Sequence, residues 1–410
     1  MRVRLTGNIV IQRYLTKGLY QRIYIFFLNF KFFLLGDSSR VKSGRIRLFQ
    51  EREKLGMTML FLCFFIFLFS EETELRPYKL INADTLIARK INEEYITNLK
   101  GNVHFFYGET EFYTDFAEIF EKKKVTRMIG NVKVFDDTLS LFSDKVDYYR
   151  LTEQLFLEGN VFIQETHQDS TIRTFETDRA EYYRNDKNLI AIDNVIAFDE
   201  REDLRGTCGY LTYNMNDGYG YLIKSPILTA IGEDSLTISA EKIEYYKEFQ
   251  KIVTTFNVVS ESKDFTITSD FLLYFKEENK AFYLGNPKFI SEMAIASANE
   301  FQLFLDERTI KYAILKDSCR VDFKSEENEE MVNWITSENM EFNFVDGHLE
   351  ICEATTNVDS YFKQDEKEDK DFAINEAQGD KLTISINSDE EIDQIGMQGR
   401  VSGKYKFLVK

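Results

Sequence analysis

Polar and apolar residues alternate with a period of two along most of this chain between Asp84 and Val401, and two landmarks punctuate the alternation ten times over. The first is an acidic or polar residue that opens an alternating stretch, at Asp84, Asp115, Asp144, Asp178, Cys208, Glu241, Asp270, Asn299, Glu338 and Asp380. The second is a segment of the type Leu-x-Gly-Asn-Val, clearest at Leu99–Val103, Met128–Val132 and Leu157–Val161. Its Asn position recurs at Asn102, Asn131, Asn160, Asn194, Ser225, Asn257, Asn286, Ser318, Asn357 and Arg400, in steps of 29, 29, 34, 31, 32, 29, 32, 39 and 43. Five units place the second landmark 16 residues after the first, and the unit from Cys208 to Ser225 misses by one. Tandem recurrence at about 30 residues marks a stacked architecture in which no unit can bury its apolar face alone.

Each half of a unit reads as a half-buried strand. After the acidic landmark, Ala117 and Ile119, Val146 and Tyr148, Ala180 and Tyr182, and Ile243 and Tyr245 share one parity, with charged residues such as Lys145, Asp147, Arg179 and Glu181 interposed. After the Gly-Asn step, Val103 and Phe105, Val132 and Val134, and Val161 and Ile163 do the same, leaving His104, Lys133 and Phe162 on the other face. Turn-rich segments such as Glu121–Lys124 and Arg184–Asn188 join the two strands. The expected body over residues 71–410 is therefore all-β, one elongated stack of about ten two-stranded units. Ten rungs at about 4.8 Å give a length on the order of 50 Å. Composition agrees, since 22 Tyr and 37 Phe against 3 Pro and 1 Trp favour strands. The acidic runs at 326–330 and 365–371 read as solvated loop insertions.

Charge divides the chain. Residues 1–56 carry 12 Lys/Arg and 3 Asp/Glu, a net +9, so the total of −18 leaves −27 for the remainder. That acidic body is no partner for nucleic acid. Met57–Phe69 is an apolar run of 13 residues behind a basic stretch, short for a membrane span and suited to a secretory h-region. Residues 57–70 thus predict export, with a retained anchor as the alternative, and residues 1–56 read as a basic extension or an over-extended start. The body keeps Cys208, Cys319 and Cys352, without metal-like spacing, and His104, His167 and His348 offer no ligand pair. Nothing resembles a nucleophile elbow, a phosphate loop or a metal motif, so the reading is of a non-enzymatic protein with no cofactor and no metal.

The Leu-x-Gly-Asn-Val segments, alternating with Asp-x-Ala-x-Tyr-Tyr as at Asp178–Tyr183 and standing behind a signal-like run, resemble the OstA-like proteins. These are the periplasmic bridge components of lipopolysaccharide transport, the LptA family. The resemblance implies a twisted, open β-jellyroll whose apolar interior carries lipopolysaccharide acyl chains toward the outer membrane. Jellyroll proteins of the inner- and outer-membrane complexes are the partners it implies, and the unpaired edges of an open strand stack point besides to head-to-tail joining of further copies. On this reading Val103, Phe105, Ala117, Ile119, Val132, Val134, Val146, Tyr148, Val161, Ile163, Ala180, Tyr182, Ile243 and Tyr245 line the lipid groove. The alternatives are an exported structural or adhesive β-solenoid, which would repeat at a shorter period, and an inner-membrane-anchored jellyroll partner that keeps Met57–Phe69.

Overall fold

The computed structural model describes residues 76–232, 235–306, 309–324, 331–345, 347–364, 372–387 and 392–407. The expected extension, the h-region and both acidic insertions lie outside them. The described chain is all-β, with every strand paired antiparallel. Its first part comprises β1 (Tyr78–Asn82), β2 (Thr85–Ile91), β3 (Glu94–Tyr107), β4 (Thr110–Phe120), β5 (Val125–Asp136), β6 (Leu139–Tyr149), β7 (Gln154–Thr166), β8 (Ile172–Tyr183), β9 (Asn188–Asp199) and β10 (Leu204–Asn214). Shorter strands follow: β11 (Tyr219–Ile223), β12 (Ile227–Ala230), β13 (Leu236–Ser239) and β14 (Lys242–Tyr246), then β15 (Lys251–Glu261) and β16 (Phe265–Phe275). Next come β17 (Lys280–Leu284), β18 (Lys288–Ser291), β19 (Ala294–Ser297), β20 (Glu300–Asp306), β21 (Thr309–Phe323) and β22 (Asn333–Val345). The last are β23 (His348–Gln364), β24 (Ala373–Ile386), β25 (Ile392–Gln398) and β26 (Ser402–Phe407).

The landmarks do not begin strands; they bend them in the middle. All ten Asn positions have a left-handed backbone, with φ from 46° at Asn160 to 58° at Ser225 and Ser318, and the residue before each is left-handed too, as at Gly101, Gly130, Gly159, Lys224 and Phe256. Two such residues in succession interrupt the ladder. Ile129 pairs with Lys145 and Val132 with Ser143, so Gly130 and Asn131 on β5 stand opposite Asp144 alone on β6. This is a bulge that turns the strand. Six pairs of short strands, β1/β2, β11/β12, β13/β14, β17/β18, β19/β20 and β25/β26, are single strands broken at the bend, in two cases beside Pro226 and Pro287. Counting each pair once, 26 − 6 leaves twenty bent strands, two for each of the ten units. The ladder is accordingly about 90 Å long by strand spacing, not 50 Å, because every unit adds two spacings.

Every bend lines up with the next, so the sheet has two limbs. Limb one holds the stretches before Gly-Asn and after Asp, such as 96–100 of β3 and 116–120 of β4; limb two holds 103–107 and 110–114. The limbs face each other. Tyr107 on limb two and Tyr148 on limb one, three strands apart, meet with ring centroids 5.7 Å apart, and Phe112 packs on Tyr148 at 5.6 Å. Between the limbs lie two adjoining apolar clusters, one running from Leu99 to Ile252 and the other from Ile238 to Ile384, with Ala240 and Tyr274 packed against both.

One landmark shifts by a residue. Cys208 pairs with Val195 and Tyr210 with Ile192, so Gly209 occupies the acidic position opposite Asp193 and Asn194. Gly209 to Ser225 restores the spacing of 16. Cys208 instead fills the preceding position, held elsewhere by Thr114, Ser143, Thr177, Ser269 and Ser337.

Candidate functional site

The ridge of bends is built by side chains that complete the irregular backbone. Asn131, Asn160 and Asn194 each donate from Nδ2 to the carboxylate of Asp115, Asp144 and Asp178 at 2.8 Å, and Asn257 does so to Glu241 at 2.7 Å. At the last unit Arg400 replaces Asn and grips Asp380, whose carboxyl is held below its usual range by that contact. On the inner side, Thr177 donates to the carbonyls of Ile192 and Asp193, both at 2.8 Å, and Thr114 to those of Ile129 and Gly130 at 3.0 and 3.1 Å. These hydroxyls satisfy carbonyls that the bulge removes from the ladder. Cys208 bonds instead along its own strand, to Tyr210 O at 3.3 Å, as Thr177 also does to Arg179 O. Among the described residues, no group of three His, Cys, Asp or Glu is placed to hold a metal ion.

The predicted lining residues lie together inside the roll. Val103, Phe105, Ala117, Ile119, Val132, Val134, Val146, Tyr148, Val161, Ile163, Ala180, Tyr182 and Ile243 are all buried in the first cluster, none more than 6% exposed, and Tyr245 is half-buried against it. They pack against one another and against residues outside that set: Leu99, Phe112, Met128, Leu141, Leu157, Phe175, Leu189 and Ala191. The signal for several of these was present, since Leu99, Met128 and Leu157 open the Leu-x-Gly-Asn-Val segments. The interior is a filled apolar core that alternation carries through both limbs. Among the described residues, no further strand covers it at the first and last strands. Leu80 and Leu86 are 42% and 55% exposed at one end, and Tyr405 and Phe407 are 62% and 59% exposed at the other.

Opposite the ridge, where the limb tips meet, the contacts are polar. Arg184, at a limb-one turn, makes a two-bond pair with Asp136 of limb two at 2.7 and 2.8 Å, and also holds Glu153 at 3.0 Å. Arg173, at an inward position of limb two, binds Asp199 and, at 3.1 Å, Glu165, and donates across to the Tyr213 hydroxyl of limb one. Burial opposes the charge of Arg173, yet Tyr213, Asp199 and Glu165 together keep its pKa above the usual value. Arg150 lies under the rings of Tyr78 and Tyr107, and the Tyr78 hydroxyl contacts Thr126 on the opposite limb. Burial pushes Tyr78 and Tyr213 up to about 12. Further along, Lys276 pairs with Glu202. None of these seam residues stood out in the sequence. The partners that Arg173, Arg184 and Lys276 meet on the opposite limb lie 40 to 74 residues away, although a charged Arg173 two positions before Phe175 was a readable anomaly.

The OstA-like protein family model matches residues 78–214, which are 137 of the 410 residues and cover β1 to β10. This segment of the chain is OstA-like. Among solved structures, LptH from Pseudomonas aeruginosa, the LptA homologous periplasmic component of that organism's lipopolysaccharide transport device, is 15% identical. The match covers 28% of this chain and 82% of LptH, with a TM-score of 0.27. No curated protein matches the chain.

Proposed function

With residues 78–214 OstA-like, we propose that this protein is a non-enzymatic periplasmic carrier of lipopolysaccharide, which takes acyl chains into the interior of the roll and passes them toward the outer membrane. The observation that carries the reading is the apolar interior, which alternation runs through twenty bent strands and which, among the described residues, ends uncovered at Leu80 and Leu86 and at Tyr405 and Phe407. An acyl chain gains about 0.8 kcal/mol for each CH₂ removed from water. Affinity thus resides in the tails, while the sugar and phosphate head stays outside a body of net charge −27. Because the lining residues already pack against one another, loading requires the limbs to part. Export would follow from residues 57–70, with inner-membrane anchorage the alternative if that segment is retained. Jellyroll proteins at either membrane would be the partners that feed and empty the interior.

A second reading, an exported structural β protein, draws on the same core. Side chains such as Met128, Val146 and Ile163 have no exposed surface, as in a roll that never opens. A photo-crosslinking side chain at Tyr148 or Tyr182, set against the same group at Lys145 or Arg179, separates the two. Capture of lipopolysaccharide at the inward pair alone supports the carrier. Equal capture at both parities, or none, leaves the structural reading.

A further inference from the structure

We propose that the polar seam opposite the ridge is a lateral gate, held shut by side-chain charge pairs between the limbs, through which an acyl chain enters the first core. The inference rests on the carrier reading.

Three observations support it. First, the two long edges of the roll are built differently. At the ridge the limbs are joined by the continuous chain of every bent strand, whereas at the seam the rim backbone bonds join turns of the same limb. Arg150 N bonds Lys124 O, Arg184 N bonds Glu153 O and Met215 N bonds Lys187 O along limb one. Thr166 N bonds Thr138 O, Glu200 N bonds Ile172 O and Ile231 N bonds Asp203 O along limb two. Each rim is thus a firm border, and the contacts that span the seam are side chains, which can separate without unfolding either border.

Second, those spanning contacts repeat with a constant sense of stagger. Arg184 reaches back to Asp136, Lys187 to Asp137, Tyr213 to Arg173 and Lys276 to Glu202. In each case the limb-one residue is later in the chain, which is what a twisted sheet folded on itself produces. One motion of limb against limb would therefore part all four.

Third, the seam is imperfectly filled. Asp136, Asp137, Thr138, Leu139 and Glu165 from limb two face Tyr182, Lys187 and Met215 from limb one around a cavity of about 80 Å³. Leu139 and Tyr182 belong to the buried interior, so this cavity adjoins both the polar border and the apolar core. Charge pairs suit such a closure because the groups they take out of water regain it when the seam opens, unlike an apolar seam, which would resist opening in proportion to its area.

The test uses the full chain and cis-parinaric acid, an acyl probe that fluoresces in apolar surroundings. Asp137→Cys with Lys187→Cys places two exposed thiols on opposite rims, where the native side chains approach to 3.9 Å, and a short bis-maleimide joins them. The gate predicts that protein linked before the probe is added takes it up at least tenfold more slowly than unlinked protein, and that protein linked after loading retains it. Each single cysteine variant treated with the same reagent should behave as the unlinked protein. In a second arm, Asp136→Asn removes one half of the two-bond pair and should speed uptake on the order of tenfold. Uptake at the same rate with the seam linked overturns the gate and leaves the carrier reading standing. No uptake by the unlinked protein overturns both.

Discussion

Gly130 lies directly over Asp115: a Cβ at Gly130 would stand 2.5 Å from the Asp115 carboxylate oxygen. The backbone there has φ +85°, so the glycine meets two demands, one conformational and one of space. Both recur at Gly101, Gly159, Gly285 and Gly399, each against its own landmark Asp. Gly130→Ala should therefore destabilise by about 2 kcal/mol, read from the urea midpoint. Asp115→Ala removes the carboxylate and its bond from Asn131 but leaves the strained φ. In the double variant the clash is relieved only in part, and a double-mutant cycle should return a favourable coupling of about 1 kcal/mol. Strict additivity would mean that the carboxylate does not crowd the glycine.

Parity makes a sharper demand on neighbouring residues. Met128 has no exposed surface while Ile129, next in the same strand, is 42% exposed. Met128→Ala should cost about 2–5 kcal/mol and Ile129→Ala no more than about 0.5 kcal/mol in the same urea titration. Similar losses at the two positions would contradict the assignment of faces.

Raising the pH should destabilise the fold through groups it keeps neutral. Burial pushes the Cys208 thiol up to about 11 and the Cys319 and Cys352 thiols up to about 12, against about 8.5 for a thiol in the unfolded chain. Because the folded values are raised, the stabilisation is fully present below about pH 8.5 and is lost as the pH climbs toward the folded values. The buried phenols of Tyr78, Tyr213 and Tyr283, each at about 12, add to the loss above about pH 10. Urea midpoints should be level from about pH 7 to 8 and fall steadily above 9. In the folded protein at about pH 8, these three thiols should not react with Ellman's reagent until denaturant is added.

Much of this was legible in the residues because the repeat writes its own register. The Gly-Asn pair announces two left-handed residues in a row, a conformation that Gly tolerates freely and Asn better than most, and the spacing of 16 sets each Asn beside the Asp before it. That the landmarks bend strands rather than start them was harder to see, since alternation carries inward parity from Leu99 through Gly101 and Asn102 to Val103 without a break. Gly209 was missed because it has no side chain to mark it, and Cys208 next to it mimicked a landmark. The seam was invisible for a different reason. Arg184 meets Asp136 only because the limbs are staggered by the twist of the whole sheet, a quantity that no single repeat encodes.

The two ends of the described stack, which no further described strand covers, carry the last prediction. An open stack presents unpaired backbone groups at both terminal strands. Here the inward positions at those strands are apolar and exposed as well: Leu86 pairs with the buried Leu99, and Phe407 pairs with Ala373. Lys404 and Lys406 alternate with Tyr405 and Phe407, so the outer face of the last strand is charged while its inner face is not. End-to-end joining would cover both apolar faces and continue the interior from one copy to the next, a heterologous contact that forms rods rather than closed rings. Leu86→Asp or Phe407→Asp should each abolish concentration-dependent association in sedimentation velocity, with a change in unfolding free energy of no more than about 0.5 kcal/mol. Uptake of cis-parinaric acid by the monomer should persist in both variants, while passage of lipopolysaccharide from one copy to another should fail. If association survives both substitutions, the ends are protected edges and the copies do not join there.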